Sequence, residues 1–101
     1  MSKKVELEAA SVRPFSPHDE SAFFEWLDKL KCIEKYEGRG PTLCITVNVD
    51  AVDEGALREL LSLFRRYGLN MEQLIAFDRP EFVRWFRDRR AYWYSSVFEH
   101  A

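Results

Sequence analysis

Two cysteines, two histidines and the acids around residue 50 are the side chains of this 101-residue sequence whose types could do chemistry. Cys32 and Cys44 lie in no C-x-x-C pair and have no histidine at metal-ligand spacing. If Glu37 pairs with Thr42 in a hairpin, the two thiols stand about three residues out of register, beyond the Cα separation a disulfide tolerates. Two separate reduced thiols are expected. His18 falls in the first turn of a predicted helix and His100 is penultimate, so both read as solvated. Asp50, Asp53 and Glu54 could offer oxygen to a hard cation. Carboxylates before and within a first helical turn are also what capping and the helix dipole favour, and the glycine-containing calcium-loop pattern is absent. Gly38-Arg39-Gly40 lacks the lysine and hydroxyl of a phosphate-binding loop, and no serine or cysteine sits in a nucleophile elbow. The expectation is therefore no catalytic residue, no metal and no cofactor.

A second kind of chemistry, recognition, is concentrated near the carboxyl terminus. Read as one helix from about Pro80 to Phe98, this segment places Phe82, Trp85, Phe86, Trp93 and Val97 on a core stripe. Tyr92 and Tyr94 then lie on the two flanks and Phe98 near the polar arc, more aromatic surface than one helix face can bury. Tyr, Trp and Arg are enriched where interfaces concentrate binding energy. Arg87 and Arg90 sit nearer the Tyr94 flank, and Arg65 and Arg66, with Arg58, extend the basic surface from the preceding helix. Arg89 projects into the apolar stripe, so it must snorkel or find a buried acid. The candidate binding residues are Arg65, Arg66, Arg87, Arg90, Tyr92, Tyr94 and Phe98.

The elements that must position these residues are legible from periodicity and punctuation. Val5, Leu7 and Ala9 alternate with polar neighbours in a strand running to about Val12, which Pro14 and Pro17 end. Ser16 is a plausible N-cap for a helix over about residues 17–30, with Phe23, Phe24, Trp26, Leu27 and Leu30 recurring at helical spacing. Segments 33–37 and 42–49 flank Gly38-Arg39-Gly40-Pro41 and read as a hairpin, with Leu43, Ile45, Val47 and Val49 facing the core. Asp53 or Asp50 caps a second helix carrying Leu57, Leu60, Leu61, Phe64 and Tyr67, stopped by Gly68 with Leu69 behind it. Asn70 caps a short third helix, 71–76, for which a strand at 74–77 is the alternative. Asp78-Arg79-Pro80-Glu81 resembles a capping box opening the last helix. The sum is βαββααα: an α+β fold with a small antiparallel three-stranded sheet and helices on one face, a two-layer sandwich formed by a single domain over residues 1–101.

Composition bounds the function class. Hydrophobic residues make up 47% and aromatics 15% of the chain, enough for one real core, and the 32% charged residues are interleaved in sign. A net charge of −2 opposes a protein devoted to neutralising phosphates. The halves differ, however: residues 1–54 hold 7 basic and 11 acidic side chains, and residues 55–101 hold 8 arginines and 6 acids. No window approaches a membrane span and the amino terminus has no apolar leader core, so a cytoplasmic chain is expected. The leading expectation is a small non-enzymatic interaction domain of inhibitor, immunity or adaptor kind, using a protein partner or self-association. The second is a nucleic-acid-associated protein using Arg65, Arg66, Arg87 and Arg90, and a third is an enzyme assembled from scattered acids and Arg89.

Overall fold

The computed structural model describes residues 3–10 and 17–99. Val12, Pro14, Ser16 and His100, which carried the ends of the first strand, a cap and one histidine, lie outside the described residues. Strands β1 (Lys4–Ala10), β2 (Ile33–Arg39) and β3 (Thr42–Asn48) form one antiparallel sheet in the order β1-β3-β2. Leu7, Ala9, Ile45 and Val47 are buried on one face of it, against helices α1 (Pro17–Lys29) and α2 (Glu54–Arg66). The α+β architecture with a three-stranded antiparallel sheet is as expected from the alternation and helical spacing.

Helix α2 is specified by its ends. Asp53 takes the Ala56 N–H at 2.8 Å as N-cap. At the other end Gly68 adopts φ +66°, and Leu69 N–H reaches back to the Phe64 carbonyl at 2.9 Å while Gly68 N–H bonds Arg65. This is the Schellman closure, with Leu69 buried as its apolar plug. Between the caps, Leu57, Leu60, Leu61 and Phe64 are fully buried. Helix α1 is tied to α2 through Phe23, which packs edge-on to Tyr67, and through the Tyr67 hydroxyl, which bonds Asp19 at 3.2 Å.

Three expectations are corrected. The hairpin connection is shorter than expected: β2 runs through Gly38 to Arg39, which pairs with Thr42, so Gly40-Pro41 alone forms the turn. Gly40 at φ +62° suits the first position of a type II′ turn, whose twist matches the strands. Glu37 therefore opposes Cys44 rather than Thr42, and a bulge shifts the register between Ile33 and Lys35. Secondly, Asp78 does not cap the last helix. Arg79 occupies the cap position of the 3₁₀ turn Pro80–Phe82 without a side-chain bond, and the Asp78 carboxylate binds Arg87 instead. Residues 71–77 form a 3₁₀ helix with Asn70 accepting the Glu72 N–H, which removes the strand alternative.

Thirdly, no continuous helix spans Pro80 to Phe98. Helix α3 covers only Val83–Phe86, and α4 covers Tyr94–Phe98. Asp88 breaks the run: its carboxylate accepts the Arg90 N–H at 2.9 Å and its carbonyl accepts the Ala91 N–H at 3.0 Å, a local turn that outcompetes helical bonding. The Trp93 indole then donates to the Phe86 carbonyl at 2.8 Å, satisfying an acceptor that the end of α3 would leave orphaned. Phe82, Phe86, Trp93 and Val97 are buried, as the helical stripe also requires, whereas Trp85 is left half-buried.

Candidate functional site

The exposed side of α2 and the segment after α3 meet in an arginine–aromatic surface. Arg58, Ser62 and Arg65 follow at spacings of four and three, so they lie on one outward stripe of the helix. The Arg58 guanidinium lies 4.2 Å from the Trp85 ring centre, and that of Arg65 lies 5.5 Å from the Tyr92 ring centre. Ser62 lies between the two arginines, and its hydroxyl is 3.5 Å from the Tyr92 hydroxyl. Both rings are braced from beneath: Trp85 and Tyr92 each pack edge-on against Trp93, at 5.8 and 5.0 Å. Tyr92 is 47% exposed, among the most exposed large apolar groups. Arg58 pairs with Glu54 at 2.9 Å, whereas Arg65, Arg84 and Arg89 are exposed with no ion pair among the described residues. Arg89 thus neither snorkels nor meets a buried acid, because the stripe that would have enclosed it ends at Phe86.

The seven candidate residues divide into separate neighbourhoods. Arg65 and Tyr92 come together. Arg66 turns to α1, bonding Asp19 at 3.1 Å and stacking on Tyr67. Arg87, Tyr94 and Phe98 form another group: the Arg87 Nε bonds both Asp78 oxygens at 3.1 and 3.0 Å, its guanidinium covers Phe98 at 5.1 Å, and Tyr94 stacks on Phe98 at 5.2 Å. The Asp78 carboxylate holds the Arg87 pKa above its ordinary value. Arg90 stands apart, its side chain 93% exposed and 3.6 Å from Asp88. Tyr92 and Tyr94 therefore face different surfaces.

Sequence reasoning missed Trp85 and Arg79. Trp85 was expected in the core but is only half-buried, and its indole Nε1 is buried without an acceptor among the described residues. Arg79 is structural: Nη1 donates to the Val49 carbonyl at 3.0 Å, Nη2 to that of Val52, and the guanidinium stacks on Phe82 at 4.6 Å. No sequence signal marks it, since its acceptors are backbone carbonyls 27 and 30 residues away.

No protein-family model matches the chain, and neither a curated protein nor a solved structure does. The surface must be read from its own chemistry. A groove of about 340 Å³ between α1 and the hairpin, lined by Phe23, Phe24, Leu43 and Glu20, offers one carboxylate and no second titratable side chain among the described residues. Cys32 and Cys44 are free and buried on opposite faces of the sheet. Burial raises both thiol pKa values, reinforced at Cys44 by its hydrogen bond with Glu6, so neither is a ready nucleophile at neutral pH. Asp53 and Asn48 act as caps, and no group of three His, Cys, Asp or Glu that could hold a metal occurs among the described residues. No helix among them is long and apolar enough to cross a membrane.

Proposed function

We propose that this protein is a non-enzymatic cytoplasmic docking domain whose Arg58–Trp85 and Arg65–Tyr92 surface binds an acidic patch on a protein partner. The observation that carries this reading is the pair of guanidinium groups stacked on braced rings. A stacked arginine has lost much of its rotamer freedom before binding, so less entropy is lost when it meets a carboxylate. Its planar fork accepts a carboxylate in two parallel hydrogen bonds.

Nucleic acid fits this surface less well. Bases stack on open aromatic faces, but the rings of Trp85, Tyr92 and Phe98 each already carry an arginine. The test is affinity capture from lysate of the source organism with nuclease present, comparing the native chain with Arg65→Glu, Tyr92→Ala and the control Lys29→Ala. A stoichiometric protein partner weakened about tenfold or more by the first two substitutions and untouched by the control is expected. Recovery of nucleic acid alone in the absence of nuclease, or a partner indifferent to both substitutions, overturns the proposal.

A further inference from the structure

The two edges of the sheet are finished differently. On the outer edge of β1 the Gln73 side chain acts as a surrogate strand: its Oε1 accepts the Glu8 N–H at 2.6 Å and its Nε2 donates to the Glu8 carbonyl at 2.8 Å. On the outer edge of β2, beyond the first residue Ile33, no backbone group is bonded by any other element among the described residues. Which groups point outward follows from the ladder. Glu8 directs its backbone to Gln73, so its partner Cys44 must direct its own toward β2, where it meets Glu37. Antiparallel pairs alternate, so the N–H and C=O of Tyr36 and Gly38 point away from the sheet.

We infer that this edge pairs with the same edge of a second copy of the chain, antiparallel about a two-fold axis at Tyr36, to make a continuous six-stranded sheet. The register follows from the sequence of β2, Ile-Glu-Lys-Tyr-Glu-Gly-Arg. Tyr36 opposes Tyr36 of the other copy, exchanging both backbone hydrogen bonds, and Lys35 opposes Glu37 twice over by symmetry. These last are non-hydrogen-bonded pairs, the kind in which side chains approach most closely. Lys35 has no ion pair of its own among the described residues, whereas Glu37 already holds Arg39 at 2.7 Å and lies close enough to Lys35 to feel its charge. An exposed lysine ordinarily protects an edge from foreign strands, and here only a strand offering an acid at the matching place meets it. The two Tyr36 rings, each packed 5.5 Å from Phe24, meet on the helix-bearing face. A side chain added at Gly38 would touch nothing within 4 Å, so the helix-bearing face is uncrowded above that end of β2.

The bulge between Ile33 and Lys35 confines the shared ladder to a few residues, so the dimer forms with concentration and is not obligate. The inference uses none of the residues of the arginine–aromatic surface and stands or falls apart from it. Sedimentation equilibrium of the whole chain up to about 1 mM should show the mass rising reversibly from 12.0 kDa towards twice that value. In parallel, hydrogen exchange at the Tyr36 and Gly38 amides should slow as concentration rises. Lys35→Glu and Glu37→Lys should each weaken self-association about tenfold or more, because each sets like charges against each other at both contacts. Mixing the two variants should restore it: the two introduced side chains then face each other with opposite charge, and the native Glu37 of one copy faces the native Lys35 of the other. A native chain that stays at 12.0 kDa up to about 1 mM overturns the inference. So does a dimer that forms without slowing these two amides, a readout that needs no variant to fold.

Discussion

At the outer edge of β1 one side chain takes the place of a single residue of a fourth strand, opposite Glu8, because the Gln73 amide carries a donor and an acceptor at the spacing of a peptide group. Truncating it returns the Glu8 N–H and carbonyl to solvent and removes these two hydrogen bonds together with a third, from Nε2 to the Asn70 carbonyl at 3.0 Å. Gln73→Ala should therefore lower stability by about 1–2 kcal/mol in denaturant unfolding and speed exchange of the Glu8 amide. Gln73→Glu keeps an acceptor for the Glu8 N–H but sets a carboxylate oxygen against the Glu8 and Asn70 carbonyls, so it should be no more stable than Gln73→Ala; equal stability of all three chains would show that the contact contributes nothing. Arg79 has a comparable structural role, since its guanidinium joins the turn at residues 49–52 to the segment before α3. Neither side chain could be singled out beforehand, because a glutamine or arginine bonded to distant backbone looks in sequence like any solvated residue.

Among the elements, those closed by local chemistry were legible and those closed by tertiary contacts were not. Helix α2 could be read from Asp53 to Gly68 because both caps lie within a few residues of the helix they end. The sequence places the hairpin turn two residues early because Gly38 looks like punctuation, although it lies inside β2 and only Gly40 has positive φ. The segment 80–98 has a convincing helical period, yet the Asp88 turn and the Trp93 bond to Phe86 divide it. Among the candidate binding residues, the periodicity groups Arg65 with the Tyr94 flank, whereas Arg65 meets Tyr92, because the chain turns at Asp88. The role of Trp85 could not be anticipated, since its burial depends on where the helix stops. Asp88→Ala should cost about 1 kcal/mol by freeing the Arg90 N–H, and Trp93→Phe about 1–3 kcal/mol by leaving the Phe86 carbonyl unpaired in the core. Thermal unfolding of both variants checks this, and a wild-type melting temperature for Asp88→Ala would mean that packing alone ends α3.

For the molecule as a whole, several raised pKa values act in the same direction. The Tyr67 phenol is raised first by burial and then by Asp19, and Tyr36 first by its hydrogen bond to Asp28. Burial raises Cys32 and Cys44. In each case the folded chain holds a proton that the unfolded chain releases sooner. Their stabilising contribution is complete below the unfolded pKa values, about 8.5 for thiols and 10 for phenols, and is lost as pH rises through the folded values. Unfolding free energy measured along an alkaline series should therefore decline above about pH 8.5 as the thiols titrate and further above about pH 10, where the decline should be shallower in Tyr67→Phe. An equal slope in that variant would locate the titrating groups elsewhere.

The Gln73 clip bears finally on how far any edge-to-edge growth of this sheet can go. A body with two adhesive strand edges can add neighbours without end, which is the geometry of a fibre, whereas one with a single adhesive edge is satisfied after one encounter. By occupying the backbone of Glu8, one glutamine interrupts the ladder a neighbouring strand would need along β1, so on the proposed pairing its loss would favour growth beyond two copies.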